Sequence, residues 1–155
     1  MTDHSISAIE QLKAVVAKLR DDKKGCAWNK KQTFETFAPY VLEEADEVID
    51  AIARGDWADL QTELGDLLYQ VVFLCHLAGE GCEFGGKPGP VFTLDDVAEG
   101  AAEKMMRRHP NVFGDVTYAS EAEQDEAWEK LKQEERKGKA SSNAQCRRTN
   151  GLSGL

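Results

Sequence analysis

The sequence lacks long apolar segments, cysteine motifs and any segment typical of export. No stretch approaches the roughly 18 consecutive apolar residues that a membrane span requires, so no association with a membrane is expected. The first residues, Met1-Thr2-Asp3-His4, have neither the basic nor the apolar region of a secretory signal, which predicts a cytoplasmic location. The four cysteines form no C-x-x-C motif and have no histidine at zinc-site spacing. We expect free thiols in a reducing compartment.

The chain is also poor in positive charge. It contains 19 Lys and Arg residues against 28 Asp and Glu residues, a formal net charge of −9. Four of the basic residues follow Arg136, where no acidic residue occurs, so the preceding part of the chain is more acidic still. Such a surface is a poor match for a phosphate backbone, and we expect no nucleic-acid partner. An anionic ligand would need a positive mediator, for which a divalent metal ion is the obvious candidate.

Helical periodicity is the main pattern that the chain contains. The length of 155 residues suits one domain, and no segment alternates convincingly as a strand, so the predicted fold class is all-α, a helical bundle. Five helices are expected: from Ser7 to a stop before Gly25, Phe34 to Arg54, Trp57 to about Ala78, Thr93 to His109, and Ser120 to about Lys137. We expect one domain over residues 1–137 and a disordered tail over residues 138–155.

Acidic residues of the second and third predicted helices have matched spacing. Glu44 and Glu47 are three residues apart, as are Glu63 and Asp66, so each pair shares a helix surface. Glu44 and Asp66 are each eleven residues from Gly55, and Glu47 and Glu63 are each eight residues from it. Because the short turn at Gly55 makes the two helices antiparallel neighbours, both pairs should lie at one height, about 15 Å from the turn. The sequence therefore predicts that four carboxylates converge.

The position of these acids relative to the apolar residues indicates a metal site. In each helix the first carboxylate borders the apolar stripe, so the cluster should be partly buried, where charge repulsion and desolvation are both unfavourable. Bound Mg²⁺ would relieve both, because it is a hard cation that binds carboxylate oxygens; Mn²⁺ is the alternative ion. A di-iron site is not favoured, because the Glu-x-x-His motifs of such bundles are absent. A purely structural hairpin whose acids face solvent is the other interpretation.

The same residues resemble the hallmark of the MazG-type nucleoside triphosphate pyrophosphohydrolases, of the all-α NTP pyrophosphatase superfamily. That hallmark is E-E-x-x-E followed after a short gap by E-x-x-D, here Glu43-Glu44-Ala45-Asp46-Glu47 and Glu63-Leu64-Gly65-Asp66. The resemblance spans roughly residues 8–136 and includes Cys26-Ala27-Trp28, Phe37-Ala38-Pro39-Tyr40, Arg107-Arg108-His109-Pro110-Asn111-Val112-Phe113 and Trp128-Glu129-Lys130-Leu131-Lys132.

The resemblance implies Mg²⁺-dependent hydrolysis of a nucleoside triphosphate to the monophosphate and pyrophosphate by an all-α homodimer. It implies that Glu44, Glu47, Glu63 and Asp66 are the metal ligands. It also implies that Lys104 and Arg108 bind phosphates, and that Trp128 and Lys132 lie near the nucleotide. Glu43 is our candidate for the residue that orients the attacking water. Clearance of aberrant or excess nucleotides is the expected role.

Two departures from the family pattern leave an alternative open. The loop that commonly reads C-P-W-D has Ala27 for the proline and Asn29 for the aspartate. Many members also carry two such domains in tandem, whereas this chain has one. The alternative is a catalytically silent nucleotide-binding or dimerisation module, or a truncated fragment of a tandem-domain enzyme. Which NTP or dNTP is preferred does not follow from the sequence.

Overall fold

The computed structural model describes the backbone of residues 7–149 and the side chains of residues 7–138. Seven helices occur in this part of the chain: α1 (Ala8–Arg20), α2 (Ala27–Lys30), α3 (Phe34–Arg54), α4 (Trp57–Gly79), α5 (Leu94–Arg108), α6 (Pro110–Phe113) and α7 (Glu121–Thr149). The described residues contain no β-strand, only an isolated bridge between Phe84 and Lys87. The predicted all-α class is confirmed.

Local signals account for most helix starts. Ser7 Oγ accepts a hydrogen bond from the Glu10 amide at 3.3 Å, and Ser120 Oγ accepts one from the Glu123 amide at 3.2 Å. Before α3, Thr33 and Thr36 each accept a hydrogen bond from the other's backbone amide, which forms a reciprocal capping box. Pro39 is the sixth residue of α3, and the helix continues past it to Arg54.

The chain divides into two compact units, one ending at Ala98 and the other beginning at Glu99. In the first unit, α4 packs against both α3 and α1. Its core is formed by the buried side chains of Val16, Phe37, Val72, Phe73 and Leu77. The rings of Phe37 and Phe73 are stacked with centroids 4.1 Å apart, so they fix α3 against α4.

The second unit contains most of α5, together with α6 and α7. The expected end of the last helix near Lys137 was too early, because α7 continues to Thr149. Alanine, lysine and arginine, which are strong helix formers, recur between Lys137 and Arg148. The part of the expected tail at residues 150–155 lies outside the described residues.

Candidate active site

The α3–α4 turn sets the position of the acidic residues. Gly55 ends α3 in the left-handed conformation, with φ of 67°, which is unfavourable for residues that carry a Cβ. Asp56 then begins α4, where its side chain accepts hydrogen bonds from the amides of Ala58 and Asp59 at 3.1 Å each. Two consecutive residues thus end one helix and start the next, and this fixes the register of the hairpin.

Three of the four predicted metal ligands converge in the first unit. One carboxylate oxygen each of Glu44, Glu63 and Asp66 lies within 4.8 Å of the others. The fourth, Glu47, is exposed, yet it contacts Glu63 closely enough to influence the protonation of that carboxyl group. Glu43 is also exposed, and its charge acts on Glu44. The level-matched pairs therefore meet, although Glu47 lies outside the tight group.

Two acids of the cluster have raised pKa values, because they are partly removed from water and lie beside other acids. Desolvation raises the pKa of Glu63 to about 6, with further contributions from the hydrogen bond and charge of Glu47 and from the charges of Asp59 and Asp66. Desolvation, followed by the charges of Asp66 and Glu47, raises the pKa of Glu44. Among the described residues of the first unit, no lysine or arginine forms an ion pair with Glu44 or Glu63. Both shifts disfavour the ionised forms that a metal ion requires.

One buried oxygen in the cluster has no hydrogen-bond partner. Oε2 of Glu63 is inaccessible to solvent and accepts no hydrogen bond from the described residues. An uncompensated buried carboxylate oxygen is unfavourable. Carboxylate oxygens are also the ligands that Mg²⁺, Mn²⁺ and Ca²⁺ prefer. The donor set and the orphaned oxygen both fit a hard divalent cation.

The predicted phosphate- and nucleotide-binding residues lie in the second unit. Arg108 extends over the ring of Trp128, with its guanidinium carbon 5.3 Å from the ring centroid, and the His109 ring lies 4.8 Å from the same tryptophan. Lys132 forms an ion pair with Glu129 at 2.5 Å. Lys104 is half-buried within α5, and its side chain forms no ion pair with the described residues. Arg108 and Trp128 are thus in contact, and the roles of these residues toward a nucleotide stay predictions.

Two residues that the sequence did not single out contact predicted site residues. Gln70 donates a hydrogen bond from Nε2 to Oε1 of Glu44 at 3.4 Å. Glu135 accepts hydrogen bonds from both Arg107 and Arg108. A signal for Gln70 existed, since it is one helical turn beyond Asp66 and so shares its face of α4. Glu135 is 27 residues from Arg108, and no local pattern joins them.

Comparison with known proteins decides the family. The sequence matches the model of the MazG nucleotide pyrophosphohydrolase domain over residues 32–113, more than half of the chain. The chain belongs to the MazG family. The matched MazG segment contains all five acids of the hallmark together with Lys104 and Arg108, whereas Trp128 and Lys132 follow it.

Relatives of the MazG family share this region at substantial identity. The nucleoside triphosphate pyrophosphohydrolase of Escherichia coli K12 is 44% identical over 139 residues, covering 90% of this chain and 50% of the relative. The nucleoside triphosphate pyrophosphohydrolase/pyrophosphatase MazG of Thermotoga maritima is 40% identical over 133 residues, covering 86% and 47%. The chain therefore spans about half the length of these curated relatives.

A solved structure shares the fold. The crystal structure of a mazG-related protein from Thermotoga maritima matches with a TM-score of 0.60 and 26% identity, covering 80% of this chain and 98% of that one. In the described part of this chain, no helix is long and apolar enough to cross a membrane.

Proposed function

We propose that this chain hydrolyses nucleoside triphosphates to monophosphates and pyrophosphate, using Mg²⁺ or, as an alternative ion, Mn²⁺. The observation that carries the proposal is the convergence of Glu44, Glu63 and Asp66, with an orphaned oxygen on Glu63. The relatives from Escherichia coli and Thermotoga maritima are named as nucleoside triphosphate pyrophosphohydrolases, which agrees with this chemistry. Removal of aberrant or excess nucleotides in the cytoplasm is the proposed role.

In the proposed site, the acids of α3 and α4 hold the cation, with Glu47 as a fourth ligand beside Glu63. A divalent ion would neutralise charge on the triphosphate and activate a water molecule as the nucleophile. Glu43 is exposed beside this group, where its carboxylate can accept a hydrogen bond from the attacking water and orient it. The polypeptide contributes mainly by positioning and by electrostatic complementarity, as is usual in reactions at phosphorus.

The basic and aromatic residues of the second unit are the proposed phosphate- and nucleotide-binding residues. Lys104 forms no ion pair with a described side chain, so its ammonium group is available to a phosphate group. Arg108 keeps a fixed orientation between Glu135 and Trp128, which suits a residue that must meet a phosphate oxygen. Trp128 and Lys132 would lie near the nucleotide.

We also propose that the chain forms a homodimer through the outer face of the α3–α4 hairpin. Large apolar side chains along this face are between 36% and 83% exposed. A contiguous exposed apolar surface typically marks an interface, whereas single exposed apolar residues do not. They are Leu42, Ile49 and Ile52 on α3, and Trp57, Leu64, Leu68 and Val71 on α4. This stripe lies on a different side of the helices from Glu63 and Asp66, so a partner could cover it and leave the acids accessible.

The deciding experiment is pyrophosphate release from a panel of NTPs and dNTPs, with Mg²⁺, with Mn²⁺ and with EDTA. We expect metal-dependent release that Glu44→Gln and Asp66→Asn each reduce by at least a hundredfold. Asp46→Asn is the matched control, since it removes an exposed acid of α3 outside the converging group and should retain wild-type turnover. Full activity in both cluster variants would refute the site assignment.

The second candidate function is nucleotide binding without turnover. The observations that favour it are the span of about half the relatives' length and the changed loop residues Ala27 and Asn29. It predicts that a nucleoside triphosphate binds to the folded protein in the presence of Mg²⁺, measured by calorimetry, while no pyrophosphate is released from any member of the panel.

A further inference from the structure

Gln70 is a buried polar residue at the edge of the carboxylate cluster. It lies on α4, four residues after Asp66, and only 5% of its surface is exposed. Val72 and Phe73, the core residues that follow it, are also buried. The side-chain amide is therefore removed from water and depends on the protein for its hydrogen bonds.

The nitrogen and the oxygen of this amide differ in their hydrogen bonding. Nε2 is 3.4 Å from Oε1 of Glu44, whereas Oε1 of Gln70 is buried and has no partner among the described residues. The opposite orientation of the amide would place its oxygen against the carboxylate of Glu44, where two acceptors repel each other. Glu44 thus determines which way the amide of Gln70 points.

Stability alone does not explain a glutamine at this position. The buried, unpaired Oε1 has a desolvation penalty that an apolar side chain of similar length would avoid. The contact with Glu44 is also longer than the usual range for such bonds, so it contributes little to folding. A buried residue that is unfavourable for folding and contacts one member of a cluster is better explained by its action on that member.

We infer that Gln70 is a positioning residue for the metal ligand Glu44, an inference that rests on the proposed metal site. Its Nε2–H faces one carboxylate oxygen of Glu44 at 3.4 Å and favours one orientation of that group without fixing it. A ligand that is oriented before the ion arrives loses less conformational entropy on binding. Residues that orient metal ligands in this way typically change metal affinity by roughly 10–100-fold.

The test compares Mn²⁺ binding, by electron paramagnetic resonance, with the thermal midpoint of the metal-free protein. For Gln70→Met, which keeps the length and removes both polar atoms, we expect Mn²⁺ affinity about 10–100-fold weaker and a metal-free midpoint equal to or above that of the wild type. A purely structural role would lower the midpoint instead. Gln61→Met, at an exposed glutamine of the same helix, is the control and should leave both quantities unchanged.

The outcomes separate this inference from the proposed function. Absence of Mn²⁺ binding by the wild type would refute the metal site, and the role of Gln70 with it. Wild-type binding with undiminished affinity in Gln70→Met would refute the role of Gln70 alone, as would a midpoint that falls together with the affinity. Should Gln70→Met not fold, Gln70→Asn keeps an amide too short to reach Glu44, and its Mn²⁺ affinity should fall by the same factor.

Discussion

Arg108 and Glu135 form an ion pair that joins α5 to α7 within the second unit. Nε and Nη2 of Arg108 both donate to Oε2 of Glu135, at 3.1 and 2.6 Å. Arg107 donates to the other oxygen, Oε1, at 3.2 and 2.8 Å. A residue expected to bind phosphate is thus already held by a carboxylate, and the bridge orients its guanidinium over Trp128.

The Glu135 bridge should stabilise the fold in a pH-dependent manner. Hydrogen bonds from Arg108 and then Arg107 lower the pKa of Glu135 to about 2. A carboxyl group whose pKa is lowered by folding contributes stability above its ordinary pKa, and this is lost as the pH falls through the folded value. In urea unfolding, the free-energy difference between wild type and Glu135→Gln should be constant from pH 7 to about 5 and shrink steadily below pH 4.5. Glu134→Gln, at the exposed neighbour, should show no such trend, and a pH-independent gap for Glu135→Gln would contradict the prediction.

The contribution of Glu63 to stability should change with pH in the opposite direction to that of Glu135. Its pKa is raised to about 6, chiefly by desolvation, so the native state retains a proton that the unfolded chain has released between about pH 4.5 and 6. Stability from this group therefore decreases as the pH rises through that window. In EDTA, Glu63→Gln should be more stable than the wild type at pH 7.5, and this gain should vanish below about pH 4.5.

Saturating Mg²⁺ should stabilise only the wild type, since binding to the native state adds stability. Destabilisation by Glu63→Gln in EDTA would be the contrary result, and Asp46→Asn is the matched control.

Sequence reasoning succeeded where local signals decide the structure. The bounds of α3, Phe34–Arg54, coincide with the prediction, and α4 ends at Gly79 rather than Ala78. Gly55 and Asp56 explain this precision, because a glycine with positive φ and an N-cap aspartate fix both helix ends and the register between them. Three of the four level-matched acids meet for the same reason.

The remaining features depend on contacts that no local pattern encodes. The helices α2 and α6 have four residues each, too few to show helical periodicity, and neither was predicted. Glu135 approaches Arg108 across 27 residues, and Gln70 approaches Glu44 across 26. Glu47 lies outside the tight group although its height was correct, because matched height does not determine where a long side chain points.

The exposed apolar stripe on the α3–α4 hairpin should control the oligomeric state. Leu64 is 50% exposed at its centre, and an arginine there would bring a charge that a dimer interface could not solvate. Light scattering at micromolar concentration should give about twice the 17.2 kDa chain mass for the wild type and the chain mass for Leu64→Arg. Thr62→Arg, at an exposed polar position of the same helix, should remain dimeric. A monomeric wild type would refute the proposed homodimer.

Arg20 should be the most sensitive charged residue of the first unit. Its side chain is 9% exposed, forms three hydrogen bonds with the carboxylate of Glu80, and donates to the carbonyls of Asn29 and Gln32 at 2.6 and 3.3 Å. Arg20→Met removes all of these bonds, although Glu80 keeps its contacts with His76 and Cys82 and the Asn29 carbonyl keeps the bond from the Gln32 amide. We therefore expect a loss of about 2–3 kcal/mol in the free energy of unfolding, which is less than the sum of the individual bonds.

Two comparisons make the Arg20 prediction specific. Arg20→Lys should recover less than half of the loss, because an ammonium group lacks the planar fork that reaches a carboxylate and two carbonyls together. Arg54→Met removes an exposed arginine that pairs with Asp50 and Asp59, and it should lower the free energy of unfolding by much less than Arg20→Met does. Hydrogen exchange should quicken at residues 26–32 only in the Arg20 variants, because this segment loses the two hydrogen bonds that Arg20 of α1 donates to its carbonyls. Equal losses in Arg20→Met and Arg54→Met would show that the buried network adds nothing beyond a surface ion pair.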